Sequence, residues 1–308
     1  MKKALKLTGL LIISFTTLLA SYNAIAETLL KTYILAETKS GDMAAIVTET
    51  KDKLTAAGFE IVGEYSPYAN TKIIIVTNDA LKQNAAASDF GAFGSAQRVA
   101  VTQVKDQVQI AFTNPVYMSH VYRMKSDLSD ISSQLKQALG DKGEYGPEDG
   151  LKVKKLRKYH YKWLMPYFYD RLNLVEYKSY DEAVEKVESA LQSDNKGGVK
   201  KVYRIDIPGK QETVIGVSLA GPSNVDCSGD KYIMDRIDFK DTKSSGHLPY
   251  EMVISGNKVY ALPAEFRIAI SFPDLSMIGS NSFASIMCAP DAISEALTFG
   301  AGGKLEED

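Results

Sequence analysis

Apolar and polar residues alternate along the first half of the chain in short stretches that predict a mixed α and β structure. Residues rich in Ile and Val predict five strands, at 31–38, 59–65, 72–77, 98–104 and 107–112. Helical spacing predicts two helices, at 42–57 and 127–139, and a small helical or irregular piece at 79–94. Both helices end before a glycine, which is typical of a helix C-terminus. The predicted order is β-α-β-β-(α)-β-β-α.

The second half of the chain gives the same predicted order. Its predicted strands lie at 174–177, 199–207, 213–220, 250–254 and 259–272. Its predicted helices lie at 181–191 and 290–299, with a shorter one within 221–239. Because hairpins join most of these strands, we predict an α+β fold of two similar units, each a largely antiparallel sheet covered by helices.

Short identities between the halves indicate that one unit occurs twice. Residues 39–44 resemble residues 178–183, and both segments open a predicted helix. The other identities share one offset of 158 residues: Ile110-Ala111 with Ile268-Ala269, Pro115 with Pro273, and Ala138-Leu139 with Ala296-Leu297. We therefore predict a first repeat at 27–140 and a second at 172–300, with a connector at 141–171 and a flexible tail at 301–308.

The first 26 residues have the pattern of a cleavable signal peptide. Three lysines precede an almost uncharged run at 7–20, and Ala24-Ile25-Ala26 is a cleavage site with small residues in the required places. An uncleaved membrane anchor is the alternative, but Thr, Ser, Tyr and Asn dilute the end of the apolar run. The sequence predicts export to the periplasm, and no other segment is long and apolar enough for a transmembrane helix.

Composition describes an ordinary globular protein. The chain is 45% hydrophobic and 24% charged with a formal net charge of −2, which argues against nucleic acid as a partner. The connector is the exception, because residues 151–162 hold six lysines and arginines and no acid, interleaved and followed by aromatics. These aromatics either pack between the units, line a pocket there, or lie with the lysines on a membrane surface. The candidate ligand-binding residues are His160, Tyr161, Trp163, Tyr167 and Tyr250.

The two cysteines, Cys227 and Cys288, are predicted to form a disulfide, because an exported chain matures in an oxidising compartment. Two buried thiols or a redox-active pair are the alternatives, and the lack of a Cys-x-x-Cys spacing disfavours the redox interpretation. A disulfide here would close a loop of about 60 residues and stabilise the fold by roughly 3 to 4 kcal/mol.

Catalytic motifs are scarce. His120, His160 and His247 are too widely spaced for a known metal motif, and phosphate loops and Gly-x-Ser-x-Gly elbows are lacking, so neither a metal nor a cofactor is expected. The candidate catalytic residues are His247, Glu265 and Arg267, which a hairpin would bring together for proton exchange and anion binding. Alternatively, Glu265 and Arg267 form an ion pair on one strand face and His247 caps a loop.

Several short motifs resemble the bacterial family called domain of unknown function 302. They are Ala57-Gly58-Phe59, then 98–101 leading to Asn114-Pro115, and in the second half 247–251, 266–269 and Phe272-Pro273. The resemblance implies a small α/β sandwich and no established reaction. The first half departs from the pattern, with Ala96-Gln97 where the second has Leu248-Pro249, so a site shared by the family would survive in only one half.

These observations favour a non-enzymatic periplasmic module that binds a small ligand or an envelope protein in the cleft between two repeats. The alternative is a periplasmic enzyme or redox accessory protein that acts through the His247, Glu265 and Arg267 cluster or through the cysteine pair. A third hypothesis is that the basic connector makes a peripheral membrane contact.

Overall fold

The computed structural model describes residues 28–221 and 227–305. The predicted signal peptide at 1–26 and the last residues of the predicted tail, 306–308, lie outside the described residues. No helix within the described ranges is long and apolar enough to cross a membrane.

The strands of the described residues are β1 (Leu29–Leu30), β2 (Tyr33–Lys39), β3 (Glu60–Tyr65), β4 (Thr71–Thr77), β5 (Gln97–Val104), β6 (Gln107–Thr113), β7 (Glu144–Tyr145), β8 (Leu151–Lys152), β9 (Leu172–Glu176), β10 (Val199–Asp206), β11 (Glu212–Leu219), β12 (Tyr250–Ser255) and β13 (Lys258–Ala261). The α-helices are α1 (Met43–Ala56), α2 (Asp79–Ala86), α3 (Pro115–Val121), α4 (Ser129–Leu139), α5 (Val153–Leu156), α6 (Tyr180–Gln192), α7 (Asp230–Ile237), α8 (Ala264–Ser271) and α9 (Ala289–Gly300). Short 3₁₀ turns follow α2, precede β12 and precede α9: Gly91–Gly94, Ser245–His247 and Phe283–Ile286.

Two antiparallel sheets organise the chain, which confirms the predicted α+β fold. The first has the strand order β3-β4-β5-β6-β2-β7, and the second has the order β10-β11-β12-β13-β9. Apart from β7, both sheets therefore connect their strands in the same way. β1 and β8 form a separate two-stranded sheet. That the halves are copies of one ancestral unit stays a prediction.

Four helices cover the outer faces of the two sheets. Helices α1 and α4 pack on the first sheet, and α6 and α9 pack on the second. The 3₁₀ turn of each half packs on the sheet of the other half: Gly91–Gly94 contacts β11 and β12, while Ser245–His247 contacts β4, β5 and β6. The inner faces of the two sheets are thus turned toward each other, and one continuous hydrophobic core runs through both halves.

Local capping explains where the first helix of each half begins. The side chain of Asp42 accepts a hydrogen bond from the Ala45 N–H at 2.8 Å. In the second half, the hydroxyl of Ser179 accepts one from the Glu182 N–H at 3.2 Å. Both residues satisfy an amide that the helix itself leaves free, which is the role of an N-cap.

The predicted strand at 259–272 is wrong. The strand β13 ends at Ala261, and the chain then forms α8, in which only Glu265 is not fully buried. A helix buried on nearly all sides has no polar face, so its sequence lacks the helical alternation that prediction relies on. The corresponding helix of the first half, α3, is not predicted either, and five of its seven residues are buried.

This helix also overturns part of the argument for a repeat. Ile110-Ala111 lies in strand β6, whereas Ile268-Ala269 lies in helix α8, so these identities do not mark equivalent positions. Pro115 begins α3, but Pro273 follows the end of α8. The shared strand order, and not the offset of 158 residues, is the likeness between the halves.

The connector and the tail are more ordered than the sequence predicts. Within the segment read as a linker, Glu144–Tyr145 pairs with β2 and extends the first sheet. At the other end, Ala301 is buried and its carbonyl accepts a hydrogen bond from the Tyr177 hydroxyl at 2.8 Å. The first residue of the predicted tail is therefore packed against the second half, and the flexibility of the tail stays a prediction.

The predicted disulfide is confirmed. Cys227 and Cys288 lie with their sulfur atoms 1.99 Å apart and their Cα atoms 5.7 Å apart. The bond connects the segment before α7 to the residue before α9, so it lies entirely within the second half of the chain.

Candidate functional site

The structure separates the three predicted catalytic residues. His247 and Arg267 are fully buried between the sheets. Glu265 is partly exposed on helix α8 and lines a surface groove with His160 and Trp163 instead. The hairpin of β12 and β13 ends at Ala261, so it does not bring the three together, and Glu265 and Arg267 are helical. The acid beside Arg267 is Glu251, at 3.6 Å between Nη2 and Oε2.

Glu251 is the centre of a buried charge network that crosses from one sheet to the other. Its carboxylate pairs with Arg98 from β5, and it also accepts a hydrogen bond from the Tyr203 hydroxyl at 3.0 Å. Both arginines and the glutamate are at most 3% exposed. Two buried positive charges share one carboxylate here, so removing that carboxylate would leave uncompensated charge in the core.

Neutral groups accept hydrogen bonds from both Nη atoms of Arg267, whereas its buried Nε has no hydrogen-bond partner among the described residues. Its Nη2 donates to the carbonyl oxygens of His247 at 2.7 Å and Pro249 at 3.0 Å, and its Nη1 donates to the Tyr122 hydroxyl at 3.0 Å. Charged hydrogen bonds to buried carbonyls hold this guanidinium in one position. Arg267 therefore joins the first half, through Tyr122, to the segment before β12.

A glycine makes room for the tyrosine of this network. A Cβ atom at Gly216 would lie 1.9 Å from the ring of Tyr203. A second close approach occurs at Gly63 in β3, where a Cβ would lie 2.4 Å from the carbonyl oxygen of Val202 in β10. The absence of side chains at these positions lets the two halves and the network pack tightly.

His247 belongs to a short polar chain beside this network. Its Nδ1 is hydrogen bonded to the Ser271 hydroxyl at 2.9 Å, and its Nε2 to the Tyr250 hydroxyl at 3.1 Å. Burial lowers the pKa of the imidazole well below its usual value, and the positive charges of Arg267 and Arg98 lower it further. The imidazole is therefore neutral at physiological pH.

Ser271, the hydrogen-bond partner of His247, also lines a cavity of about 360 Å³ between the two halves of the molecule. Aromatic rings form its apolar walls: Tyr145 from strand β7 of the first sheet, and Phe239 and Phe272 from the second half. A concave site with apolar walls and a few oriented polar groups is the usual form of a small-molecule site.

Carboxylates outnumber amines around this cavity. Lys31 and Lys240 are its cationic residues, whereas four acids line it: Glu144, Asp238, Asp241 and Asp274. Three of these acids are held in place by backbone amides. Glu144 accepts from the Lys31 N–H at 3.1 Å, Asp238 from the Ser244 N–H at 3.0 Å, and Asp274 from the Glu148 N–H at 2.7 Å.

Asp238 is the most buried of the four acids. Burial raises the pKa of its carboxyl to about 6, although the Ser244 amide and the charge of Lys243 favour the ionised form. Because a cation near this carboxylate would offset the cost of its burial, the group is more stable with a positively charged neighbour than without one.

Tyr33 lies behind the same wall of the cavity. Its ring stacks on that of Tyr145, with the centroids 5.3 Å apart. Within the described part of the chain, no hydrogen bond of normal geometry reaches its buried hydroxyl, although Ser271 is near enough to affect its pKa. Burial raises that pKa, so the hydroxyl stays protonated and keeps a proton to donate.

The connector aromatics divide into buried and exposed groups. The Tyr159 hydroxyl donates to the Ala269 carbonyl at 2.8 Å, and the Tyr161 hydroxyl donates to the Leu275 carbonyl. Phe168 packs between rings of both halves, 6.3 Å from Phe93 and 6.1 Å from Phe266. These contacts agree with the interpretation that connector aromatics pack between the units.

The five predicted ligand-binding residues do not form one site. Tyr250 is buried beneath His247, and the His160 ring stacks on Tyr167 with centroids 4.2 Å apart. Trp163 is 85% exposed, so it contributes to neither the core nor the cavity. Sequence reasoning missed Ser271, Asp238 and the other acids of the cavity, because nothing in their local sequence distinguishes them from ordinary surface residues.

Within residues 28–221 and 227–305, no group of three or more His, Cys, Asp or Glu side chains is placed to hold a metal ion. No protein-family model, no curated protein and no solved structure matches the chain. The resemblance to the domain of unknown function 302 family therefore stays a prediction.

Proposed function

We propose that the protein binds a small cationic ligand, an amine with an apolar or aromatic body, in the cavity between its two halves. The observation that carries the proposal is the excess of oriented carboxylates in a cavity whose remaining walls are aromatic. An ammonium group would pair with Asp238 or Asp274, and the body of the ligand would pack on Phe239 and Phe272. Export to the periplasm, expected from the first 26 residues, would place this site where it meets external small molecules.

An enzymatic role through Ser271 and His247 is less well supported, although the two side chains are 2.9 Å apart. A general base must accept a proton during the reaction. His247 would have to do so next to Arg267 and Arg98, which lower its pKa together with burial. We therefore assign Ser271 and His247 to ligand positioning.

Three probes with the same benzyl or phenyl body test the proposal: benzylamine, benzyl alcohol and benzoate. Only benzylamine should raise the melting temperature of the mature protein, by a few degrees at ten times its Kd. Titration calorimetry should show that its affinity rises as pH increases through about 6, because Asp238 becomes ionised there.

Variants of the cavity residues test whether benzylamine binds there. Asp238→Asn and Asp274→Asn should each weaken benzylamine binding, whereas Glu185→Gln, an exposed acid on α6, should leave it unchanged. Equal stabilisation by benzoate and benzylamine, or unchanged binding in both aspartate variants, would contradict the proposal. Release of product from phenyl or benzyl esters that depends on Ser271 would instead favour the enzymatic alternative.

A further inference from the structure

A second opening along the junction has the opposite charge. It has a volume of about 580 Å³, and it is lined by five cationic residues: Arg123, Lys125, Arg157, Arg171 and Lys210. Its acids are Asp89 and Glu212, so three positive charges remain in excess. We call this opening the basic groove. Among the described residues, it shares no lining residue with the cavity that holds Glu144, Asp238, Asp241 and Asp274, which we call the acidic cavity.

Neutral groups, and not carboxylates, bind the side chains of two cations of the basic groove. Arg157 donates from Nη1 to the Met124 carbonyl at 3.1 Å, and Lys210 donates to the Ser88 carbonyl at 2.6 Å. A carbonyl oxygen fixes a cationic side chain without cancelling its charge. The groove therefore holds ordered positive charge that is available to an anion.

Arg171 is the clearest example of a positive charge in the groove that is available to an anion. Its guanidinium carbon lies 3.4 Å from the ring centroid of Phe90 and 5.9 Å from that of Phe168. Burial against these rings lowers its pKa, which shows that the charged form loses hydration there. The charges of Asp89 and Asp170 favour the protonated form, but no ion pair joins Arg171 to a carboxylate of the described residues, so an anion that entered the groove would restore stabilisation that the guanidinium has lost.

The cations come from three separate parts of the chain. Arg123 and Lys125 belong to the first half, Arg157 and Arg171 to the connector, and Lys210 to the hairpin between β10 and β11. The groove continues past Phe168 and Tyr169 to Lys158, so aromatic faces accompany the charges. Guanidinium groups beside aromatic rings suit a phosphate that is attached to a ring or an apolar body.

We infer that the basic groove is a binding site for a phosphate-bearing anion, which is bound by the arginines of the first half and the connector together with Lys210. The ligand is either a free phosphate ester or the headgroup of an anionic phospholipid, since both present the same oxygens. The inference does not depend on the ligand of the acidic cavity, because the two sites are built from different residues.

Pyrophosphate and lipid vesicles distinguish the two sources. Titration calorimetry of the full mature protein at 150 mM NaCl should show saturable pyrophosphate binding. A titration with NaCl of the same ionic strength should show no such binding. Arg123→Gln and Arg171→Gln should each weaken binding about tenfold. Lys186→Gln, an exposed cation on α6, is the matched control and should bind as the wild type does.

Trp163 gives the readout for lipid. It is the single tryptophan of the chain and is 85% exposed, so its emission shifts to the blue when it enters a bilayer interface. Vesicles with phosphatidylglycerol should cause this shift, and vesicles of phosphatidylcholine alone should not, if the source is a headgroup. The shift must then be lost in Arg171→Gln.

Arg123→Gln keeps the test valid if Arg171→Gln fails to fold, because Arg123 is exposed and its side chain does not contribute to the core. Binding of pyrophosphate alone identifies a free phosphate ester, and a vesicle response that requires the arginines identifies a headgroup. Absence of both responses overturns the inference, and so does binding that neither arginine variant weakens.

Discussion

The acidic cavity and the basic groove lie on the same junction but are lined by residues of opposite net charge. Four acids face two lysines in the cavity, whereas five cations face two acids in the groove. Strand β12 connects the two, since Tyr250 is linked to the cavity through His247 and Ser271, and Ser255 lines the groove. One architecture thus supplies both openings, and the residues at each rim give the opening its charge.

Between the two sites lies the buried network of Glu251 and its two arginines, and its removal should have the largest effect. Glu251→Gln leaves Arg98 and Arg267 without a carboxylate, so we expect a loss of roughly 3 to 5 kcal/mol in the free energy of unfolding. Urea denaturation measures this loss. Tyr203→Phe removes one hydrogen bond to the same carboxylate and should cost about 1 kcal/mol.

Both sites should weaken together in Glu251→Gln, because the network connects the sheets on which both are built. Glu185→Gln is the control and should change stability by less than about 0.5 kcal/mol. A Glu251→Gln protein as stable as the wild type would show that the network does not support the junction.

Removal of the disulfide should affect the two sites differently. The bond closes a loop between residues 61 apart, and replacing both cysteines with serine should lower the free energy of unfolding by roughly 3 to 4 kcal/mol. Cys227 lies just before α7, whose last residue, Ile237, lines the acidic cavity. We therefore expect the double variant to lose affinity for benzylamine while it keeps its affinity for pyrophosphate.

Titration calorimetry with both probes, on the folded variant, checks this expectation. Equal losses at the two sites would show that the disulfide supports the whole junction and not the cavity alone. Thiol titration of the denatured wild type should find no free thiol until a reductant is added.

Two buried aspartates should give a smaller, pH-dependent effect. Asp230 bridges the halves by accepting a hydrogen bond from the Tyr65 hydroxyl at 3.2 Å, and burial raises the pKa of its carboxyl from 3.8 to about 7. The native state thus keeps a proton that the unfolded chain has lost. Stability from this group falls as pH rises from about 4 to 7, and it is constant above that range.

Replacing either aspartate with asparagine removes its contribution to the pH dependence of stability. From pH 5.5 to 7.5 the unfolding free energy of Asp230→Asn should rise by roughly 2 kcal/mol relative to the wild type. For Asp238→Asn, whose parent carboxyl has a pKa of about 6, the rise should be only about 1 kcal/mol. Denaturation at the two pH values measures both, and equal curves for wild type and Asp230→Asn would contradict the assignment.

The sequence predicted the elements whose patterns are local. The hairpin of β5 and β6 follows from alternating β-type residues around Lys105-Asp106, and α1 follows from Asp42 at its start and Gly58 after its end. Helix α8 was missed because Phe266, Ile268 and Ile270 alternate with smaller or charged residues, as in a strand. The signal that would have found it is Pro263 just before the helix, with Glu265 in the first turn.

The sites were less predictable than the elements. His247 and Arg267 were correctly placed near each other, but the pairing of Arg98 with Glu251 joins residues 153 positions apart. Such a pair depends on how the two sheets face each other, which no local pattern encodes. The acids of the cavity and the cations of the groove likewise come together only after the halves have packed.

Gly216 illustrates how little room this packing leaves. A single methyl group at that position would meet the ring of Tyr203, the residue that donates its hydroxyl proton to Glu251. An alanine there would touch neither opening, yet it would push on the one carboxylate shared by both buried arginines. Mutational screens of this protein should therefore find intolerant positions well away from any surface that meets a ligand.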